Sequence, residues 1–293
     1  MPETANYAEI NGANIYYEVH GAGHPLVLVH SLLFDSTQWD DMLPALAAHF
    51  QVVRYDQRGC GRSQAADVNA SNDADLLALI DHLQLDRVYL LGLSVGGEIA
   101  LNFTLDHPER VDALIMAGGG PVGWDDYDPA ATGETAFHAA AKAGDYRRAL
   151  DLFAQIWVDG PVAPAAPAVR RRARAMMERY TWGHWQQPAA ASAGEPAQAA
   201  EGAVEEQTAD APIATEPSYD ERLAAIAVPV LFVAGDRDQP ISLTSNEASV
   251  KLIPGSELAV ILGAAHIIPL EEPAAFARVV LDFLERRGGP QGG

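Results

Sequence analysis

The sequence predicts an α/β fold, a mostly parallel twisted sheet with helices on both faces. Three observations carry that prediction. Short apolar runs alternate with helical segments at both ends of the chain. The run PLVLV (25–29) is apolar without a break, as a strand covered on both faces must be. Asn11-Gly12 separates two alternating runs, the signature of an antiparallel hairpin at a sheet edge.

In order, Tyr7–Ile10 and Asn14–Val19 read as the hairpin and Pro25–Val29 as the first buried strand. Trp39, Met42, Leu43 and Leu46 recur at helical spacing, which predicts a helix over Thr37–Ala48 capped near Ser36 or Thr37. Val52–Tyr55 is a strand, followed by the turn DQRGCGRS. Helix Ala74–Leu83, strand Val88–Leu91, helix Gly96–Asp106 and strand Val111–Met116 continue the alternation. It resumes late in the chain. Leu223–Ile226 ends a helix, and strand Val230–Ala234, helix Leu243–Leu252, strand Leu258–Leu262 and helix Ala274–Arg286 follow. Strands and helices alternating over this length imply parallel strands joined by helical crossovers.

The alternation stops between Pro121 and about Pro217. Residues 134–182 look helical and contain Phe137, Phe153, Trp157 and Tyr180. Residues 188–217 hold 11 alanines and 6 acidic groups but no basic or aromatic side chain, so burial there cannot offset the entropy of ordering, and a flexible loop is expected. The expected division is a core of residues 1–120 and 218–293 with a helical lid insertion over 121–217.

Bulk properties narrow the function. The chain has 293 residues, 48% of them hydrophobic, enough for one large core with an insertion. A formal net charge of −21 argues against nucleic acid or anionic membrane as a partner, since both require a basic face. The single cysteine, Cys60, excludes an internal disulfide framework and a cysteine-based zinc site. MPETANYAEI has neither a basic nor an apolar leader region, and no run reaches the ~18 apolar residues of a membrane span. A cytoplasmic protein is expected, as a monomer or homodimer acting on a small molecule.

The stretch LLGLSVGGEIA (90–100) contains Gly92-Leu93-Ser94-Val95-Gly96, directly after a strand and directly before a helix. In G-x-S-x-G the serine occupies a sharp strand-to-helix turn where small flanking residues avoid clashes. A hydroxyl needs a base to become a nucleophile. His266, just past the strand Leu258–Leu262, stands at the strand end where open parallel sheets build their sites. Gly235-Asp236-Arg237-Asp238 follows another strand and offers two acids. Asp238, farther out in the loop, is the preferred partner for the histidine, and Asp236 is the candidate to cap the turn. Two backbone donors are needed for an oxyanion: the N–H of Val95, and the N–H of Leu32 in the loop His30-Ser31-Leu32-Leu33.

The blocks LVLVHSLLFDSTQW, VVRYDQRGCGRS, LLGLSVGG, HPERV, VPVLFVAGDRDQPI and GAAHIIPLEEP stand in the order seen in the α/β-hydrolase superfamily, which the chain resembles over residues ~7–120 and ~218–287. HSLLFDSTQWDDMLPALAAHFQVVRYDQRG most resembles 3-oxoadipate enol-lactonases and related small esterases. The resemblance implies the α/β-hydrolase fold, the order Ser94…Asp238…His266, and Leu32 and Val95 as the oxyanion hole. His30-Ser31 stands where many members have His-Gly, and residues 121–217 do not match the enol-lactonase lid. Cys60 is read as a packing residue beside the site.

The implied chemistry is acyl transfer to Ser94, with neither cofactor nor metal, and hydrolysis of an ester or lactone of a small, largely apolar molecule. His30, Ser31, Trp157, Trp182 and Trp185 are candidate substrate contacts, although Trp157, Tyr180, Trp182 and Trp185 equally suit a small core within the insertion. Arg170, Arg171, Arg172, Arg174 and Arg179 form a basic helix that either pairs with the Glu-rich loop or receives a substrate carboxylate. A carbon–carbon bond hydrolase of the same fold and a non-catalytic ligand-binding relative are the alternatives.

Overall fold

A computed structural model describes residues 4–123, 127–186 and 217–287. The loop expected over 188–217 lies, but for Pro217, outside them. The strands are β1 (Thr4–Ile10), β2 (Ala13–His20), β3 (Pro25–Val29), β4 (Gln51–Tyr55), β5 (Gln64–Ala65), β6 (Val88–Leu93), β7 (Val111–Ala117), β8 (Val230–Gly235) and β9 (Glu257–Ile261). They form one sheet in the order β1-β2-β4-β3-β6-β7-β8-β9, with β5 paired to β2. β1 and β2 run antiparallel and β2 meets β4 antiparallel, while the neighbours from β4 to β9 are parallel.

Local chemistry accounts for the edge. Ile10 pairs with Ala13, leaving a two-residue turn in which Asn11 and Gly12 both have positive φ, 47° and 75°. Such a turn matches the twist of the flanking strands, and Asn-Gly adopts it at low cost. The middle strands show why PLVLV carries no polar position. Leu26 and Leu28 point into a core with Trp39, Met42, Phe276 and Phe283. Val27 and Val29 point into the opposite core with Leu76, Ile80, Ile99 and Phe103. Helices therefore cover both faces, and all six residues of β6 are buried.

The helix expected over Thr37–Ala48 is two pieces. A 3₁₀ turn spans Ser36–Trp39, and the α-helix spans only Leu43–Ala47. Pro44 explains the break. In one continuous helix its ring would meet the carbonyl of Asp40 and leave it unbonded, whereas in the first turn of a new helix it costs nothing. The cap is Asp35, whose side chain accepts from Thr37 N–H at 3.0 Å, not Ser36 or Thr37.

A buried ion pair ties the DQRG turn to the helix Asn72–His82. Arg58 Nε and Nη2 donate to the two oxygens of Asp75, both at 2.6 Å, and both side chains are almost fully buried. Asn11 of the hairpin turn donates to Asp75 as well. Removing one member strands a buried charge, so Asp75→Ala should lower stability by about 3–5 kcal/mol in urea unfolding. A loss below 1 kcal/mol would mean that the pair contributes little.

Between β7 and β8, the described residues of the insertion are helical, chiefly Glu134–Lys142, Tyr146–Phe153 and Pro167–Met177. Their apolar side chains join Leu33, Phe34, Cys60, Ile267 and Leu270 from the sheet side in a third cluster. The basic segment anchors this layer, its helix ending at Met177 so that Arg179, expected within it, stands two residues beyond. Arg179 pairs with Asp35 at 2.7 Å, and Arg172 reaches Asp41 and the Thr37 carbonyl. Arg170 meets Asp159 at 3.1 Å and Arg174 meets Asp151 and Glu178. Four of the five arginines read as pairing with the Glu-rich loop or receiving a substrate carboxylate thus meet carboxylates of the core loops and of the insertion itself, and most of the Glu-rich loop lies outside the described residues. No described helix is long and apolar enough to cross a membrane.

Candidate active site

Ser94 joins β6 to the helix Val95–Asp106 with φ 55° and ψ −123°. A non-glycine residue holds such a backbone only when its surroundings impose it. Here the backbone does so. Ser94 N–H donates to the Ala117 carbonyl of β7 at 2.8 Å, and the Ser94 carbonyl accepts from Gly97 and Glu98 N–H at 2.7 and 3.1 Å. The flanking glycines are steric requirements. A Cβ on Gly92 would lie 2.1 Å from the Gly96 carbonyl oxygen, and one on Gly96 2.2 Å from that of Val29. The turn therefore lifts the serine side chain clear of the sheet at the carboxyl ends of the parallel strands.

His266 follows β9 and Asp238 follows β8. His266 Nδ1 donates to Asp238 Oδ2 at 2.9 Å, and both side chains are buried. The other Asp238 oxygen accepts from Gln239 N–H at 2.6 Å, which fixes the carboxylate's orientation. Asp236 Oδ1 instead accepts from Gly263 N–H at 2.7 Å and stitches the two loops together. The loops cross closely, since a Cβ on Gly235 would lie 2.3 Å from the carbonyl oxygens of Ala264 and Ala265. Trp157 packs on the imidazole, ring centroids 4.5 Å apart. Gly118, with φ 76°, makes room for the ring from below, where a Cβ would approach His266 Cε1 to 2.9 Å.

Ser94 and His266 open onto one cavity of about 350 Å³, and Leu32, Val95 and Trp157 line it as well. Leu32 precedes Leu33, another residue of positive φ (64°), so this loop also turns sharply where it meets the cavity. Four other sequence candidates stand elsewhere. His30 is fully buried, accepts from Gln57 N–H on Nε2 and donates from Nδ1 to the Ser31 carbonyl, each at 2.9 Å. Burial holds its pKa below the ordinary value, as suits a neutral ring bridging two backbone groups. Ser31 Oγ donates to Gln38 at 2.8 Å. Trp182 stacks on Tyr146, and Trp185 packs on Phe137 and His138, within the insertion's own core. Cys60 is buried in the same cluster, and burial raises its thiol pKa, disfavouring the reactive thiolate.

Sequence reasoning overlooked Glu98, Glu134, Tyr127 and Tyr219, which also line the cavity. Glu98 carried a readable signal. It lies in the first turn of the helix that starts just after Ser94. Glu271 was overlooked too. Its Oε2 accepts from Ala265 N–H at 2.8 Å and braces the residue before His266. Burial pushes its carboxyl up to about 7, against the Ala265 N–H and Arg237, which pull it down. The raised carboxyl holds a proton in the folded chain that the unfolded chain releases near the ordinary 4.5, so stability falls as pH rises from about 4.5 to about 7. Glu271→Gln keeps an acceptor and removes the titration. It should gain on the wild type by up to ~3 kcal/mol between pH 5 and pH 8 in urea unfolding. A constant difference between the two proteins across that range would refute the assignment.

A profile of the alpha/beta hydrolase fold matches residues 24–273. The chain belongs to the α/β-hydrolase family. Among relatives, a protein provisionally assigned as the carbamate hydrolase RutD, from Caulobacter sp. strain K31, is 26% identical, the match covering 92% of this chain and 95% of that one. A 2-hydroxy-6-oxononadienedioate/2-hydroxy-6-oxononatrienedioate hydrolase of Klebsiella pneumoniae subsp. pneumoniae is 27% identical over 89% of this α/β-hydrolase and 87% of its own length. Among solved structures, the enol-lactonase from Burkholderia xenovorans LB400 superposes with a TM-score of 0.72 at 23% identity, covering 95% of this chain and 99% of that one. That last likeness is one of fold.

Proposed function

We propose that the protein is a serine hydrolase that cleaves an ester or lactone of a small, largely apolar molecule through an acyl-enzyme on Ser94. The observation that carries this reading is the His266–Asp238 hydrogen bond of 2.9 Å beside a cavity that the strained Ser94 also lines. Ser94 Oγ attacks the carbonyl carbon and His266 Nε2 takes its proton, while Asp238 holds the proton on Nδ1 and stabilises the imidazolium. The carbonyl oxygen becomes an oxyanion facing the N–H groups of Leu32 and Val95, with the helix Val95–Asp106 directing its positive end at the same point. The alkoxide leaves, protonated by His266, and remains tethered to the acyl group when the substrate is a lactone. Water, deprotonated by the same ring, then attacks the acyl carbon and releases acid and free Ser94.

The helical segment between β7 and β8 acts in this reading as a lid, because Trp157 and Phe153 roof the cavity and Trp157 covers His266. Water exclusion strengthens the charge interactions beneath it. A fluorophosphonate probe tests the reading directly. Labelling of Ser94 in the native protein is the expected result, and native protein that stays unlabelled and inert toward p-nitrophenyl esters of any chain length would overturn it in favour of a ligand-binding role. Carbon–carbon bond hydrolysis is the second reading, prompted by the Klebsiella relative. Turnover of a vinylogous diketone together with failure on every ester would select it.

A further inference from the structure

Among the described residues, the carboxylates that line the cavity face no lysine or arginine. They are two glutamates, Glu98 and Glu134. The five arginines of the basic segment, the alternative receivers of a substrate carboxylate, are absent from that lining. Four of them are engaged with aspartates elsewhere. Glu98 stands in the first turn of the helix that follows Ser94. Glu134 comes from the insertion and accepts a hydrogen bond from Tyr127 Oη at 2.7 Å, which holds its carboxylate at the cavity wall. Tyr127 and Tyr219 flank the two acids in the lining. That a ligand enters here follows from Ser94 and His266, and the carboxylates decide what charge it carries.

We propose that Glu98 and Glu134 make this a pocket for esters bearing an ammonium group, bound in the same cavity as the scissile carbonyl. The proposal rests on the serine hydrolase reading above and gives its small, otherwise apolar substrate a cationic end. A cation placed between the two carboxylates relieves their mutual repulsion, which favours a quaternary or primary ammonium. A carboxylate in the same place would add a third negative charge beside Glu98 and Glu134. Dicarboxylate and carboxylated lactone substrates are therefore disfavoured, although a relative of similar length is named for a dioate.

The probes are three p-nitrophenyl esters of one length: a butanoate with a terminal trimethylammonium group, its uncharged tert-butyl isostere, and the analogue ending in a carboxylate. The readout is the ratio of kcat/KM between the first two within each protein, so that a general loss of activity cancels. The wild type should prefer the ammonium ester by about tenfold or more and turn over the carboxylate least. Glu98→Gln and Glu134→Gln should each cut the preference several-fold, and the double variant should abolish it. Burial and then Glu134 raise the Glu98 pKa above its ordinary value, so the preference should also grow as pH rises and Glu98 ionises. The other titratable groups lining the pocket are Glu134, His266, Tyr127 and Tyr219, and His266 acts on both isosteres alike.

Equal turnover of the charged and uncharged isosteres by wild type, with Ser94 labelled by fluorophosphonate, would overturn this inference and leave the serine hydrolase standing. A preference that survives in the double variant would do the same. No turnover of any ester with Ser94 unlabelled would overturn both.

Discussion

Replacing Ser94 by alanine is expected to lower ester hydrolysis by about 10⁴-fold or more and to abolish fluorophosphonate labelling. The size follows from the role proposed for the residue. Without Oγ no acyl-enzyme forms, and only the oxyanion donors and substrate positioning remain to assist direct attack by water. Stability is the control. The Ser94 side chain makes no capping hydrogen bond to its helix, and the strained turn is held by backbone bonds to Ala117, Gly97 and Glu98. The melting temperature should therefore stay within a few degrees of the wild type. A Ser94→Ala protein that folds and retains more than a tenth of the wild-type kcat/KM would place the nucleophile elsewhere.

The second large effect concerns the two aspartates after β8. Asp238→Asn should reduce kcat by about 10³–10⁴-fold, because an amide can donate to the imidazole and select the wrong tautomer while offering no negative charge to the imidazolium. Asp236→Asn should change kcat less than threefold, a rough bound for a group outside the reacting set. Its remaining carbonyl oxygen can still accept from Gly263 N–H, the bond that Asp236 makes. Steady-state kinetics of both variants on one p-nitrophenyl ester make the comparison. Equal losses would mean that the loop as a whole, not the Asp238 carboxylate, supports His266.

What was legible in the chain depended on how local the cause was. The hairpin at Asn11-Gly12 and the bend at Ser94 each follow from a few consecutive residues whose backbone options are narrow. The buried strands were equally plain, because cover on both faces leaves no polar position in PLVLV or in β6. Thr37–Ala48 misled because apolar spacing outvoted one proline, although Pro44 has a definite steric consequence for the carbonyl four residues earlier. Residue type limited the third-partner question to Asp236 or Asp238, and loop position favoured the second. Only the crossing of the two loops at Gly235 and Ala264 aims Asp238 at His266 and Asp236 at Gly263.

The cavity wall was the least legible part. Trp157, Trp182 and Trp185 are equivalent as letters, yet Trp157 packs on His266 while the other two fill the insertion's interior. Glu98 and Glu134 lie 36 positions apart and meet at one cavity because the insertion folds back toward the helix that follows Ser94. By itself, then, the sequence determined the family through the ordered blocks it shares with it, and the sharp turn at Ser94 and the set of candidate groups through short-range sterics and through strand and helix periodicity. The tertiary structure decided which aspartate faces the histidine, which tryptophan roofs it and what charge lines the pocket. Those outcomes depend on how distant loops cross and pack, and no local spacing in the chain encodes that.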